Sequence, residues 1–226
     1  MLSDHKTYKV LKKDPTRCTE RRLNAQLLKL KKDEKIFESL YLQLRSSDGV
    51  SPRFYGLPKI HKPGYPLRPI VFFIDSRTYN TSKHIAKILS PLVGNTDYTV
   101  RNSKEFCASL EQVKLEQDVE LVSFDVVSLF TSIPVEHAVQ VAESKLSQDE
   151  TLQSRSAIPI TDIVYLLKFC LSSTNFKYNN IHYQQIFGCA MGSPVSRCYG
   201  YIVMENLEQK AIFTSLTVFL QNNLMR

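Results

Sequence analysis

Several features that would assign this chain to a familiar class are missing. No apolar run approaches the roughly 20 residues that cross a bilayer, so no membrane partner is expected. The N-terminus lacks the apolar core of a signal peptide. The five cysteines show no Cys-x-x-Cys spacing, which favours reduced thiols in an intracellular protein of the nucleus or cytoplasm. We find neither an internal repeat nor a low-complexity tract.

The charge is unevenly distributed along the chain. Residues 1–104 contain 21 Lys and Arg against 9 Asp and Glu, whereas residues 105–226 contain 8 against 13. A basic front half followed by an acidic back half favours a polyanion as the partner of the front half. A solvated charged surface without a partner remains the alternative.

The hydrophobic pattern predicts a mixed α and β protein in which helices separate the strands. With 226 residues, of which 43% are hydrophobic, the chain can form one large domain or two small ones. Helices are predicted over residues 16–45, 81–92 and 103–117; in the first, apolar residues recur at mostly helical spacing, namely Leu23, Leu27, Leu30, Phe37, Leu40 and Leu44. A further helix is predicted after Pro134, with Val135, Ala138, Val139, Ala142 and Leu146 inside, and another from a Thr161 cap to Leu171. The last predicted helix follows a Ser193 cap and Pro194, with Val195, Cys198, Tyr199, Ile202 and Val203 inside. Hairpins are predicted over residues 53–74 and 176–185, the second turning at Asn179-Asn180.

One aspartate interrupts an apolar segment. In "SFDVVSLFTSIP", residues 123–134, Asp125 is flanked by Phe124 and Val126, and Leu121, Val122 and Val127 extend the run. This pattern predicts a buried strand. An unpaired buried carboxylate costs several kcal/mol, so Asp125 requires a partner. From the residues alone, a nearby lysine or a capped turn is the simplest partner.

Three segments carry a resemblance to a known family. "FYGLPKIHKPGYPLRPIV", "SFDVVSLFTSIP" and "YQQIFGCAMGSPVS" resemble, in this order and spacing, the reverse transcriptase of Penelope-like retroelements. The similarity runs from about residue 40 to about residue 214. It implies an α+β fold, namely a right-hand polymerase with fingers, a palm built on an antiparallel sheet with packed helices, and a thumb. Because the family pattern breaks off near the C-terminus, as described below, we expect a partial right-hand polymerase with fingers and an incomplete palm. It also implies RNA-templated DNA synthesis, with an RNA template, an RNA/DNA duplex and deoxynucleoside triphosphates as partners.

The resemblance assigns roles to two residues of the apolar segment. Asp125 matches the family's first metal-binding aspartate, which makes it the catalytic residue and a ligand of Mg²⁺. Polymerases use two metal ions to stabilise the attacking and leaving oxygens, and magnesium prefers hard oxygen ligands. Phe130 matches an aromatic that blocks the ribose 2′-hydroxyl. A plain core phenylalanine is the alternative for Phe130.

Five further residues are candidates for nucleotide binding. Arg68 matches the family's arginine that holds the incoming triphosphate, and arginine can bind phosphate in bidentate fashion. Lys59 flanks the same hairpin, where a purely solubilising lysine is the alternative. In the last segment, Gln185 and Ser193 can hydrogen-bond to nucleotide or template, and Gly192 permits the backbone to pass close to a base pair. A helix N-terminus with its cap is the plain interpretation of that segment.

The pattern then departs from the family. The family's next element is an aromatic-x-Asp-Asp turn that supplies the remaining metal carboxylate, but this sequence has no Asp-Asp and no Asp or Glu after Glu208. We therefore expect a basic helical segment at residues 1–45, a partial reverse transcriptase domain at residues 46–214 that is truncated and inactive alone, and a divergent tail at residues 215–226. The alternatives are a polymerase completed by a second chain, a non-catalytic RNA/DNA-binding module, and a non-functional element fragment.

Overall fold

Strands and helices alternate along the chain in this computed structural model. The structure describes residues 2–96, 99–112 and 122–214. Within them the strands are β1 (Tyr8–Leu11), β2 (Arg53–Pro58), β3 (Leu67–Phe72), β4 (Asn175–Tyr178) and β5 (Ile181–Gln185). The helices are α1 (Thr16–Lys32), α2 (Glu38–Leu44), α3 (Tyr79–Leu89), α4 (Ser103–Glu111), α5 (Leu129–Ser132), α6 (Val135–Ser147), α7 (Leu152–Arg155), α8 (Ile160–Ser172) and α9 (Ser196–Thr214), with a 3₁₀ turn at Ser90–Leu92. The predicted α+β class is confirmed.

The strands form one mixed sheet in the order β1-β5-β4-β2-β3. Three of its pairs are antiparallel, but β2 and β4 run parallel, with Arg53 opposite Lys177. The Lys177 N–H donates to the Pro52 carbonyl at 2.8 Å. The sheet is therefore mixed, and the predicted antiparallel pairing holds for three of its four strand pairs. A parallel pair needs a long crossover, and here the chain between β2 and β4 supplies it through β3 and several helices.

Both predicted hairpins are confirmed. β2 and β3 pair in register from Arg53–Phe72 to Pro58–Leu67. β4 and β5 turn at Asn179 and Asn180, whose φ angles of 46° and 62° lie in the left-handed region. Two successive residues of positive φ match the right-handed twist of the paired strands, and asparagine tolerates that conformation well. The strand β1 was not predicted; it pairs antiparallel with β5.

The helices pack around a large apolar core. Leu23, Leu27 and Leu30 of α1 are fully buried in it, as the helical spacing predicted. The predicted inner face of α9 is buried as well, namely Val195, just before the helix, and Cys198, Tyr199, Ile202 and Val203. In α6, Ala138, Val139, Ala142 and Leu146 are buried and Val135 is partly buried. A second, smaller cluster on the sheet joins Tyr8, Val71, Phe73, Phe176 and Ala190.

The predicted buried strand around Asp125 is wrong. Residues 122–126 form no strand, and Phe124 and Val127 are 90% and 80% exposed; Leu121 lies outside the described residues. An apolar segment becomes a buried strand only where neighbouring strands and a covering layer receive it, and no described strand pairs with this one. The cost of burying an unpaired carboxylate therefore does not arise, because Asp125 is exposed.

Several helix boundaries differ from the predicted ones; the helix predicted at residues 81–92 is α3, Tyr79–Leu89, followed by the 3₁₀ turn. The predicted helix at residues 16–45 is two helices, because Glu34 adopts a φ of 56° between them. Thr161 is not a cap: α8 begins at Ile160, and the Pro159 carbonyl accepts the N–H groups of Asp162 and Ile163. Helix α9 begins at Ser196 rather than at Ser193-Pro194, because the preceding segment makes turns. Of the predicted helix at residues 103–117, the part beyond residue 112 lies outside the described residues, as does the predicted tail at 215–226.

All five cysteines lie in the described part of the chain and are free. Cys170, Cys189 and Cys198 are buried, and burial raises the pKa of the Cys170 and Cys189 thiols to about 12. A thiol of such high pKa is mostly protonated at neutral pH and is a poor nucleophile. Separately, no helix within the described ranges combines the length and the apolar character needed to cross a bilayer.

Candidate functional site

The β2–β3 hairpin presents two of the predicted phosphate-binding residues together. Arg68 lies opposite Leu57 in the strand register, and the Lys59 N–H donates to the Pro66 carbonyl at 2.9 Å. A cavity of about 320 Å³ lies at this end of the hairpin, lined by Lys59, Arg68, Leu57, Pro58, Ile60 and His61. Arg68 is exposed and Lys59 is half-buried. The arrangement places two cations on a rigid two-stranded support, which suits an anionic ligand.

The segment of residues 188–193, here called the bridging loop, connects this hairpin to the turn after Asp125. At its start, the Cys189 N–H donates to the Phe130 carbonyl at 2.6 Å. Near its end, the Val71 N–H donates to the Met191 carbonyl at 2.8 Å. Because β3 is an edge strand, its Val71 N–H is open to this bond.

Two glycines allow the bridging loop to approach its neighbours this closely. Gly188 has a φ of +71° and Gly192 a φ of +109°. A Cβ atom on Gly188 would overlap the Phe130 carbonyl oxygen, and one on Gly192 would overlap the Val71 carbonyl oxygen. The close approach at Gly192 in the structure is to strand β3. Contact with a nucleotide at Gly192 stays a prediction.

Phe130 lies in the short helix α5, where its half-buried side chain packs against the helical core. A Cβ atom built on Gly200 of α9 would lie 3.5 Å from the Phe130 Cε1 atom, so the ring lies alongside that helix. This packing favours the interpretation of Phe130 as a core side chain. The selection against a ribose 2′-hydroxyl stays a prediction.

Gln185 and Ser193 differ in their availability for a ligand. Gln185 is buried, and its Nε2 atom donates to the Phe187 carbonyl at 2.9 Å, so its amide group is already hydrogen-bonded within the protein. Ser193 is 7% exposed, and its Oγ atom has no hydrogen-bond partner among the described residues. An unpartnered buried hydroxyl is uncommon, and it keeps Ser193 available for a hydrogen bond.

Asp125 is exposed and belongs to no metal-binding cluster of the described residues. Within residues 2–96, 99–112 and 122–214, no three His, Cys, Asp or Glu side chains lie close enough together to hold a metal ion. Neither the predicted lysine partner nor a capping hydrogen bond of Asp125 is present in that part of the chain. The described residues therefore do not by themselves form a site that fits resident Mg²⁺.

Sequence reasoning missed a buried ion pair in the helical layer. Glu205 of α9 is 2% exposed; its Oε2 atom lies 2.6 Å from the Lys145 Nζ atom of α6, and its Oε1 atom accepts the Gly94 N–H at 2.5 Å. Lys145 also donates to the Leu92 carbonyl at 3.2 Å. The partners are distant in sequence, so no local pattern could have identified them.

A buried arginine was missed as well. Arg77 is 3% exposed, and burial lowers the pKa of its guanidinium, although Asp14 and Glu20 act in the opposite direction. Its Nε and Nη2 atoms have no partner among the described residues. A charge in this environment is unusual unless it is paired or hydrogen-bonded.

No protein-family model and no curated protein matches this chain. The functional argument therefore depends on the residues and the geometry given above.

Proposed function

We propose that this chain is a partial reverse transcriptase domain, derived from an RNA-directed DNA polymerase of a retroelement and inactive on its own. The observation that supports it best is the bridging loop. The three segments that resemble the Penelope-like enzymes are far apart in sequence, yet the loop of the third is hydrogen-bonded to Val71 of the first and to Phe130 of the second. In this proposal β2 and β3 belong to the fingers, and the other described strands belong to the palm.

The proposed roles follow from exposure and chemistry. Arg68 and Lys59 bind the triphosphate of the incoming deoxynucleotide through the hairpin cavity. Ser193 offers its unpartnered hydroxyl to the nucleotide or the template. Asp125 is the one proposed metal ligand, and its exposure leaves it accessible to a triphosphate-bound magnesium ion.

A single carboxylate is insufficient for polymerisation. Two metal ions must stabilise the attacking and the leaving oxygen on opposite sides of the reacting phosphate. The sequence of residues 1–226 contains no Asp-Asp pair, and no group of three His, Cys, Asp or Glu side chains among the described residues could hold a metal ion. Each missing 1.4 kcal/mol of transition-state stabilisation lowers the rate about tenfold.

Primer extension tests this proposal directly. With a primed homopolymer RNA, magnesium and deoxynucleotides, we expect the purified protein to give no extended product above an enzyme-free control, because the second metal cannot be held. The chain should nevertheless bind the same primed template in a shift assay. DNA synthesis by the purified parent protein that is lost in the Asp125→Asn variant would contradict the proposed inactivity. DNA synthesis that the Asp125→Asn variant retains would contradict the metal role of Asp125.

Non-catalytic binding of nucleic acid is the second candidate function. The basic front half favours it, and so do Tyr55 and Tyr65 on the hairpin, which are 42% and 65% exposed. Exposed aromatic rings near cations can stack on unpaired bases. This candidate requires no metal and no second carboxylate.

We expect single-stranded RNA to bind with a strong dependence on salt, because phosphate contacts release counterions. Arg68→Gln should flatten the slope of log K against log salt by about 0.7, the contribution of one phosphate contact to a single strand. Lys168→Gln, in helix α8 of the acidic back half, is the control and should leave the slope unchanged. RNA binding measured by fluorescence anisotropy at several salt concentrations provides the data. Absence of binding at low salt would instead favour a fragment without a function.

A further inference from the structure

A second cavity, of about 330 Å³, lies away from the hairpin, between the loop after the 3₁₀ turn and helix α9. Its lining includes Asn95, Thr99 and Arg101 on the loop side, and Arg197 and Tyr201 on the helix. Neither the resemblance nor the proposed function gives this cavity a role. Its volume is at the lower end of the range for small-molecule sites.

The loop residues on one side of the cavity make hydrogen bonds to their surroundings, some of them partly buried. Gly94, which lines the cavity, donates its N–H to the buried Glu205, and Lys145 pairs with the same carboxylate. The Asn95 Nδ2 atom donates to the Pro91 carbonyl at 2.9 Å, and the hydroxyls of Thr96 and Thr99 lie 2.7 Å apart. A wall fixed in this way loses little conformational freedom when a ligand binds.

The charge that lines the cavity is positive. Arg101 and Arg197 form no ion pair with any residue that the structure describes, and Arg197 lies over the Tyr201 ring, with 5.6 Å between its Cζ atom and the ring centroid. Glu105 is not among the lining residues, although its Oε2 atom accepts the Arg101 backbone N–H at 2.9 Å. Glu205 is already neutralised by Lys145. Two arginines therefore line a cavity whose lining contains no Asp or Glu.

We propose that this cavity binds the phosphate group of a small phosphomonoester. A phosphomonoester carries a charge of about −1.5 to −2 at neutral pH, which matches two arginines, and guanidinium groups bind phosphate in bidentate fashion. The phosphodiester of a nucleic-acid backbone carries one charge per phosphate and is a weaker match. The cavity size fits a ligand no larger than a mononucleotide. The proposal does not depend on descent from a polymerase.

Calorimetric titration with inorganic phosphate and with adenosine monophosphate tests the proposal. We expect saturable binding of both probes, and each of Arg101→Gln and Arg197→Gln should weaken it about tenfold, which corresponds to the loss of one charge-assisted interaction. Both arginines are exposed, so the variants should keep the melting temperature of the parent protein. Arg21→Gln, on the exposed face of α1, is the matched control for net charge and should bind like the parent.

The variant Arg68→Gln distinguishes phosphate binding in this cavity from phosphate binding at the hairpin. If phosphate binding is lost in Arg68→Gln but kept in the Arg101 and Arg197 variants, the hairpin is the phosphate site and the proposal is wrong. Equal weakening by Arg21→Gln, or no saturable binding by the parent protein, would also overturn it. The assignment to a small phosphomonoester would be overturned if an oligonucleotide without terminal phosphates bound more tightly than adenosine monophosphate and if the Arg101 and Arg197 variants lost that binding. None of these outcomes depends on polymerase activity.

Discussion

Gly192→Ala is expected to lower the free energy of unfolding by about 4 kcal/mol. An L-residue at a φ of +109° costs on the order of 1–3 kcal/mol, and a methyl group forced into a packed site costs a similar amount. Here the methyl group would overlap the Val71 carbonyl oxygen, so the bridging loop must leave strand β3. Urea denaturation followed by circular dichroism measures the change.

Gly64→Ala is the matched control for this prediction. Gly64 has a φ of +73°, but a Cβ atom there would meet nothing within 4 Å. Its substitution should therefore lower the free energy of unfolding only through the strain of a positive φ, by about 1–2 kcal/mol. If Gly192→Ala and Gly64→Ala destabilise the protein equally, the close contact between the bridging loop and β3 is refuted, and the main support for the proposed function is removed with it.

Lys145→Met is expected to lower the free energy of unfolding by about 3 kcal/mol, because it leaves the buried carboxylate of Glu205 without its cation. Removal of one partner from a buried pair is more damaging than removal of both. The double variant Lys145→Met with Glu205→Met should therefore recover part of the loss. The same denaturation experiment applied to the parent, both single variants and the double variant gives the coupling energy.

The surface pair between Lys168 and Glu136 provides the comparison. Both side chains are largely exposed, with 51% and 65% of their surface accessible, although their charged atoms lie at a similar distance of 2.8 Å. Lys168→Met should cost less than 1 kcal/mol, as exposed ion pairs usually do. A loss at Lys145 as small as that at Lys168 would show that the Glu205 pair is not buried in solution.

The two largest effects concern different parts of the molecule. The Gly192 variant tests the bridging loop, which joins the three segments of the resemblance. The Lys145 variant tests the ion pair with Glu205, which holds Gly94 at the cavity proposed to bind phosphate. Because these positions share no contact partner in the hydrogen bonds and ion pairs given above, their effects should be additive. An additive double variant, Gly192→Ala with Lys145→Met, would confirm that the two sites are independent.

Sequence alone determined the features of this protein that depend on near neighbours. Asn179-Asn180 specified a tight hairpin because both residues tolerate positive φ. The spacing of Leu23, Leu27 and Leu30 specified a helix and its buried face, and the spacing of Cys198, Tyr199 and Ile202 did the same for α9. In each case the conformation and the side that faces the core follow from residues within one or two turns of each other.

The tertiary structure alone decided what depends on partners distant in sequence. The apolar residues around Asp125 have the pattern of a buried strand, but burial needs neighbouring strands, and the described sheet leaves Phe124 exposed. The pairing of Glu205 with Lys145 and the approach of Gly192 to Val71 likewise join positions that no local pattern relates. The physical reason is that φ and ψ preferences act over a few residues, whereas burial and ion pairing are set by whichever elements the folded chain brings into contact.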